Sequence, residues 1–251
     1  MKNIILLGSG NVATHLGTAL KNSNYNILQV YSKSIENAKL LSKKLDAHFT
    51  NDLTKLKSAD LIIVSIKDDA ISIVLSQIKN TAVVHTSGSI GLNIFEKKFS
   101  NHGVFYPLQT FNKDVDMDVS EIPFCIEGNS LKFENKLVEI AKALSCNVVK
   151  MNSHQIKKLH IAAVFACNFS NHMYSIANDM LEKNNIDFKI LLPLIKKTIT
   201  NLEKENPRQV QTGPAKRKDI AVIQEHLDTI KEEEIRDLYQ KISAHIIKYH
   251  E

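Results

Sequence analysis

Gly8, Gly10 and Ala13 stand at the spacing G-x-G-x-x-A, just after a short apolar run and just before a helical stretch. In that setting each position has a physical task. Gly8 permits the tight turn, Gly10 leaves no side chain in the way of a pyrophosphate, and Ala13 lets the helix pack on a sheet. The helix N-terminus then faces the phosphates. Ser9, Asn11 and Val12 complete the turn and are expected to share the dinucleotide contact. At the end of the next strand-like run, where an NAD site usually carries an acid for the ribose hydroxyls, the chain has Ser32-Lys33-Ser34. A lysine between two hydroxyls suits a 2′-phosphate, so the expected cofactor is NADP (NADPH). The plainer reading makes Lys33 a solvated loop residue and Ser34 a helix cap.

Two later turns, Ser65-Ile66-Lys67 and Thr86-Ser87-Gly88, end successive strand-like runs. Ligands of open α/β sheets bind outside the carboxyl ends of the strands, so these turns are expected to touch the cofactor, although turn residues need no function. Further candidates lie in the second half. His160 and Asn168 are eight positions apart, roughly 80° around an α-helix and two turns along. The apolar residues between them, Ala162 to Ala166, predict a buried segment. Its polar pair then needs partners, as a proton donor and an orienting amide or as satisfied core groups. Lys157, three residues before His160, is a possible cationic partner on the same helix or a solvated lysine. Thr212-Gly213 breaks the helical pattern, and Arg217 follows at a helix start, where its planar fork suits a substrate carboxylate or phosphate. The ten histidines are scattered without metal-ligand spacing, so no metal site is expected.

Up to His85 the elements that must position these residues alternate strand and helix: Asn3 to Leu7, Val12 to Lys21, Ile27 to Tyr31, Ile35 to Leu45, His48 to Thr50, Leu61 to Ser65, Asp69 to Ile78, Ala82 to His85. In the second helix Ser34 is the expected cap, with Leu40, Leu41 and Leu45 on one side. Such alternation predicts a doubly wound parallel sheet. Val104-Phe105, Pro123 to Glu127 and Asn147 to Met151 read as later strands, with a helix from Leu131 to Leu144. Beyond Ser153 only helical patterns remain: Ile156 to Lys183, Phe188 to Glu203, Asp219 to Lys231 and Glu233 to Tyr249. The fold class expected is α/β, a Rossmann domain over residues 1–152 followed by an all-α domain over 153–251.

Length allows one large domain or two modest ones, and composition is that of an ordinary globular chain. The 251 residues are 43% hydrophobic and 24% charged. The net charge of +5 is mild and dispersed, which suits an anionic ligand and argues against nucleic acid as a partner. Cys125, Cys146 and Cys167 are odd in number and lack C-x-x-C spacing, as in a reducing compartment. No apolar run approaches the roughly 20 residues of a membrane span. Met1-Lys2-Asn3 leads straight into Ile4 to Leu7, so no secretion signal is expected. A cytoplasmic location follows as an expectation.

Several further segments resemble a known family. Ile66-Lys67-Asp68-Asp69-Ala70-Ile71 resembles the V-P-D-x-x-I turn of β-hydroxyacid-type dehydrogenases, with Lys67 in place of the proline. His85-Thr86-Ser87-Gly88 resembles H-x-S-G, and Tyr106-Pro107-Leu108-Gln109-Thr110-Phe111 resembles H-P-L-x-T-F, with tyrosine in place of histidine. Lys157 to Asn168 resembles K-x-x-H-x-A-A-x-x-x-x-N, and Thr212 to Asp219 resembles T-G-P-x-x-R-x-D. In this order they look like the bacterial family of Rossmann-like oxidoreductases with a helical C-terminal domain of unknown function. Its wider relatives include ketopantoate reductase, pyrroline carboxylate reductase and prephenate dehydrogenase.

The resemblance implies a nicotinamide cofactor, a helical domain of the 6-phosphogluconate dehydrogenase C-terminal type, and a homodimer paired through it. The function expected is hydride transfer between NADP and a small, carboxylate-bearing oxo- or imino-acid at an interdomain cleft. His160, Asn168 and Lys157 are then the catalytic candidates, and Thr212, Gly213 and Arg217 the substrate contacts. The alternative is a non-catalytic dinucleotide-binding sensor.

Overall fold

The computed structural model describes residues 1–95 and 97–250. Eight strands form one sheet in the order β3-β2-β1-β4-β5-β6-β7-β8. They are β1 Asn3–Leu7, β2 Asn26–Tyr31, β3 His48–Thr50, β4 Leu61–Val64, β5 Val83–His85, β6 His102–Pro107, β7 Phe124–Gly128 and β8 Val148–Lys150. The first six are mutually parallel in the order 3-2-1-4-5-6, which is the Rossmann arrangement. β7 then runs antiparallel to β6, and β8 parallel to β7. The Val104-Phe105 pair anticipated from sequence is the middle of a longer strand, because β6 pairs with β5 on one side and along its length to Pro107 with β7 on the other.

Helices α1 (Asn11–Asn22), α2 (Ile35–Leu45), α3 (Asp68–Gln77) and α4 (Leu131–Lys142) cover the sheet. Alternate residues of a strand point to opposite faces, and β1 shows the result. Ile4 and Leu6 join Leu16, Leu20, Leu41, Leu45, Phe133 and Leu137 in one apolar layer. Ile5 and Leu7 join Ile62, Val64, Ile71, Val74 and Leu75 in the other. A strand buried on both faces has no polar positions to spare, and Leu61–Val64 (LIIV) is buried throughout. One expectation on α2 fails: Leu41 and Leu45 are buried, but Leu40 is 69% exposed. One residue is about 100° of helix turn, enough to carry Leu40 off the packed face.

After β8 the chain is helical. An Asn152/Gln155 capping box opens α5 (Ser153–Ala163), a π-helical stretch follows at Val164–Phe169, and α6 spans Ser170–Glu182. The π stretch interrupts what the sequence suggests is one long α-helix. The expected burial of Ala162 to Ala166 is also not what the structure shows: Ala162, Phe165 and Ala166 are exposed, Phe165 by 65%. Apolar patterning records which face seeks cover, and among the described residues Ala162, Phe165 and Ala166 are left without it.

The chain divides into two compact units, Met1–His172 and Met173–Glu251. α5 and its π stretch therefore belong to the same unit as the sheet, although strand-like pattern ends near residue 152. The second unit contains a 3-10 turn at Phe188–Leu191 and the helices α7 (Leu192–Leu202), α8 (Pro214–Arg217), α9 (Ile220–Thr229) and α10 (Glu233–Tyr249). No residue of α6 or α7 is buried. Among the described residues no helix is long and apolar enough to cross a membrane.

Candidate active site

Beyond the carboxyl ends of the parallel strands, the hydrogen-bond ladder continues into the turns and fixes their positions. Gly8 donates to the Tyr31 carbonyl at 2.8 Å, Ser65 to Leu7 at 2.7 Å, Thr86 to Val64 at 3.1 Å and Ser32 to Thr50 at 3.2 Å. The Thr86 hydroxyl also donates to Ser65 Oγ at 3.1 Å. The turns are thus extensions of the sheet.

They surround a cavity of about 870 Å³, within the range of small-molecule and cofactor sites. Gly8, Ser9, Gly10, Asn11 and Val12 line it, together with Ser32, Lys33, Ser65, Ile66, Lys67, Thr86, Ser87 and Gly88. At its other side stand Tyr106, Pro107, Gln109, Phe111 and His160. Every lining residue belongs to the first unit.

The two glycines of the first turn differ in their reasons. Gly8 has φ +129°, and a Cβ there would stand 2.0 Å from the Ser65 carbonyl oxygen, so no side chain fits. A Cβ on Gly10 would meet nothing within 4 Å and would project into open space at the mouth of α1. That combination, a cramped first glycine and an open second, is what a bound pyrophosphate requires. The residues present therefore fit a dinucleotide. Ala13 is fully buried and packs α1 on the sheet instead of lining the cavity. Ser34 also lies outside the lining: its hydroxyl accepts from the Asn37 amide at 3.2 Å as the N-cap of α2 and donates to Glu36 at 2.9 Å. Beside it, Ser9 donates to Ser32 Oγ at 2.8 Å, joining the glycine turn to the turn that carries Lys33.

The loop after β6 is tied to α1. The His15 ring stands 2.8 Å from the Asn112 carbonyl through Nε2, and the Lys113 amide donates to Asn11 Oδ1 at 3.2 Å. These bonds hold Phe111 and Gln109 over the cavity edge.

Of the three catalytic candidates read from sequence, His160 alone lines the cavity. Its Nδ1 is 2.9 Å from the Tyr106 hydroxyl, and the two rings meet edge to face at 5.8 Å. Lys157 and Asn168 are exposed and absent from the lining. Asn168 lies eight residues further along, inside the π stretch. Tyr106, which sequence reasoning noted only as a departure from H-P-L-x-T-F, is the residue it missed. Its position at the end of a strand, next to proline, was the available signal. Burial pushes its phenol up to about 12, with Cys125 behind it as a smaller cause.

His85 ends β5 and is fully buried against Phe95, ring centroids 5.4 Å apart and stacked. Its Nδ1 accepts from the Ser87 amide at 3.3 Å, and Nε2 makes no hydrogen bond of ordinary geometry among the described residues. Burial pushes its pKa down to about 4, with the Gly91 backbone and the Asp68 carboxylate pulling weakly the other way. The bond from the Ser87 amide ties it to the Thr86-Ser87-Gly88 turn.

Thr212, Gly213 and Arg217 belong to the second unit. Gly213 takes φ +100° at the start of α8, and the exposed Arg217 guanidinium lies 4.0 Å from Asp219. Among the described residues no three His, Cys, Asp or Glu side chains gather as metal ligands.

Fold and cavity together define a Rossmann-like oxidoreductase. Residues 3–87 match the family described as NADP oxidoreductase coenzyme F420-dependent, and residues 122–246 match a domain of unknown function, DUF2520. A crystal structure from Bacteroides fragilis, provisionally described as an NADP oxidoreductase, is 42% identical, with 98% of each chain covered and a TM-score of 0.94. A Thermotoga maritima protein is 23% identical over 98% of each chain, TM-score 0.71. A pyrroline-5-carboxylate reductase from Streptococcus pyogenes, 14% identical over the same coverage with a TM-score of 0.64, shares the fold. No curated protein matches the chain. The chain belongs to the oxidoreductase family that joins an NADP-oxidoreductase Rossmann domain to DUF2520.

Proposed function

We propose that the protein is an NADP-dependent oxidoreductase of small oxo- or imino-acids, acting in the cytoplasm as a homodimer. One observation carries the reading: a single cavity brings the glycine turn, Ser32-Lys33, Ser65 to Lys67 and Thr86 to Gly88 together with the Tyr106–His160 pair. The glycine turn and the N-terminus of α1 hold the pyrophosphate, and Lys33 with Ser32 and Ser9 takes the 2′-phosphate. The bound cofactor supplies a hydride to a carbonyl or imine carbon. The chain supplies the rest: turns that position the two reactants and a hydrogen-bonded pair that handles a proton. Thr212, Gly213 and Arg217 are the substrate contacts of the helical unit, with Arg217 available for a carboxylate because its pairing to Asp219 is long and solvated.

The dimer reading rests on uncovered apolar surface. Phe165 and Phe169 in the π stretch, and Ile190, Leu194, Ile199 and Leu202 around α7, are all exposed. A helix that exposes its apolar stripe needs a second surface to cover it, and a second copy of this chain supplies one.

The test is titration with NADPH and NADH followed by a screen of 2-oxo and cyclic imino acids with NADPH oxidation as readout. NADPH binding with turnover is the expected result. Tight binding without turnover across the screen favours a dinucleotide sensor instead, and absence of binding overturns the cofactor assignment.

A further inference from the structure

Tyr106 and His160 come from different elements, the end of β6 and the last turn of α5, and meet above Gly88. Tyr106 is 8% exposed as a residue, and its backbone is held by the β6–β7 pairing, where it stands opposite Cys125. Its ring has little freedom to reorient. It lines the cavity beside Gly88, the last residue of the turn that follows β5. His160 backs it from the helix side at 2.9 Å.

Resting on the oxidoreductase reading above, we infer that the Tyr106 hydroxyl is the proton donor of the reduction and that His160 is its positioning residue. With Nδ1 protonated, His160 donates to the phenolic oxygen and leaves the phenol hydrogen directed to the substrate. A reduced nicotinamide, held in the cavity by the glycine turn, would supply the hydride that the C=O or C=N carbon takes up. The π pair moves onto the oxygen or nitrogen, which takes the proton as the Tyr106 O–H bond breaks. The phenolate recovers a proton from His160 Nδ1 as Nε2 takes one from water, so no imidazolate forms, and tautomer exchange with solvent restores the Nδ1 proton. The net change is one hydride from the nicotinamide and one proton from solvent.

The buried phenol gives this arrangement its logic. Desolvation disfavours the phenolate, so the hydroxyl stays protonated up to about pH 12 and is a donor throughout the physiological range. The same desolvation makes a lone phenolate costly, and an adjacent N–H relieves it. An alkoxide or amide anion developing on substrate is more basic than the phenolate, so transfer runs downhill.

The experiment compares Tyr106→Phe, His160→Ala and His160→Gln with the unaltered protein. NADPH binding is read by fluorescence. The affinity of oxamate, a 2-oxo acid mimic, is read by calorimetry on the protein–NADPH complex, and kcat is followed against pH on the substrate found by the screen. Tyr106→Phe is expected to lower kcat by about a hundredfold or more and to weaken oxamate about tenfold, with NADPH affinity unchanged. His160→Ala is expected to lower kcat and change the pH profile. His160→Gln, whose amide can still donate to the phenol, recovers part of the rate. If Tyr106→Phe leaves both kcat and oxamate affinity within threefold, the assignment is wrong while the cofactor reading stands. If the unaltered protein binds NADPH but neither oxamate nor any oxo or imino acid, the substrate reading and this inference fall together. If it binds no NADPH, the oxidoreductase reading itself fails.

Discussion

A β-carbon on Gly88 would stand 2.7 Å from Cζ of Tyr106, and 2.9 Å from Cγ and Nδ1 of His160. The glycine lies under both rings, so their separation depends on the missing side chain. Gly88→Ala should therefore push the rings apart. Overpacking of this kind costs about 1–3 kcal/mol, which lowers the melting temperature without unfolding the protein. Turnover should fall by about tenfold or more while NADPH affinity changes little. Unchanged turnover, with a crystal structure showing both rings in place, would refute the dependence.

Lys33 and the 2′-phosphate give a second prediction. Lys33→Ala removes the lining cation next in sequence to Ser32, whose hydroxyl accepts from Ser9, and should weaken NADPH by about tenfold with little effect on NADH. Equal losses for the two cofactors would place Lys33 away from the discriminating phosphate. The measurement is a pair of fluorescence titrations at fixed ionic strength, since an exposed contact is screened by salt.

These two sites were legible to different degrees. The glycine turn announces itself because its chemistry is local: seven consecutive positions, Leu7 to Ala13, set the turn, the approach and the packing. The parallel strands were legible for a similar reason, since a run such as Leu61–Val64 has to be apolar on both faces. The Tyr106–His160 bond joins residues 54 positions apart, and no periodicity within either segment encodes it. Asn168 looked like the natural partner of His160 because helix arithmetic is all that a single segment offers. The pairing of β6 with β7 and the packing of α5 beside the sheet decide the partner instead. The exposure of Phe165 shows a second limit: apolar pattern marks a face that will be covered without saying by which chain.

Burial of His85 makes stability depend on pH. In the unfolded chain the imidazole takes a proton below about 6.5, while in the folded protein it resists protonation until about 4. Between those values the unfolded state binds more protons, so stability is complete above 6.5 and is lost as pH falls towards 4. The difference corresponds to roughly 3 kcal/mol at most. Urea unfolding at steps from pH 7 to pH 4 should show this decline, and His85→Gln should flatten it. A profile that is the same in both proteins would mean that His85 is not the group responsible.

Cysteine reactivity tests the proposed dimer. Cys125 is buried, and burial pushes its thiol up to about 11, so it should react slowly with a thiol reagent at pH 8. Cys146 and Cys167 are both exposed on the single chain. They differ in surroundings: Cys167 lies in the π stretch between exposed Phe165 and Phe169, whereas Cys146 follows Ser145 in the loop before β8. If a second copy covers the phenylalanine face, Cys167 is protected at concentrations where the dimer forms and Cys146 is not. Labelling at micromolar protein should then modify Cys146 quickly and Cys167 slowly. Dilution, or Phe165→Asp to break the face, should restore the Cys167 rate to that of Cys146. Equal rates at all concentrations, together with a monomer mass by light scattering, would show that this face is not where two copies meet.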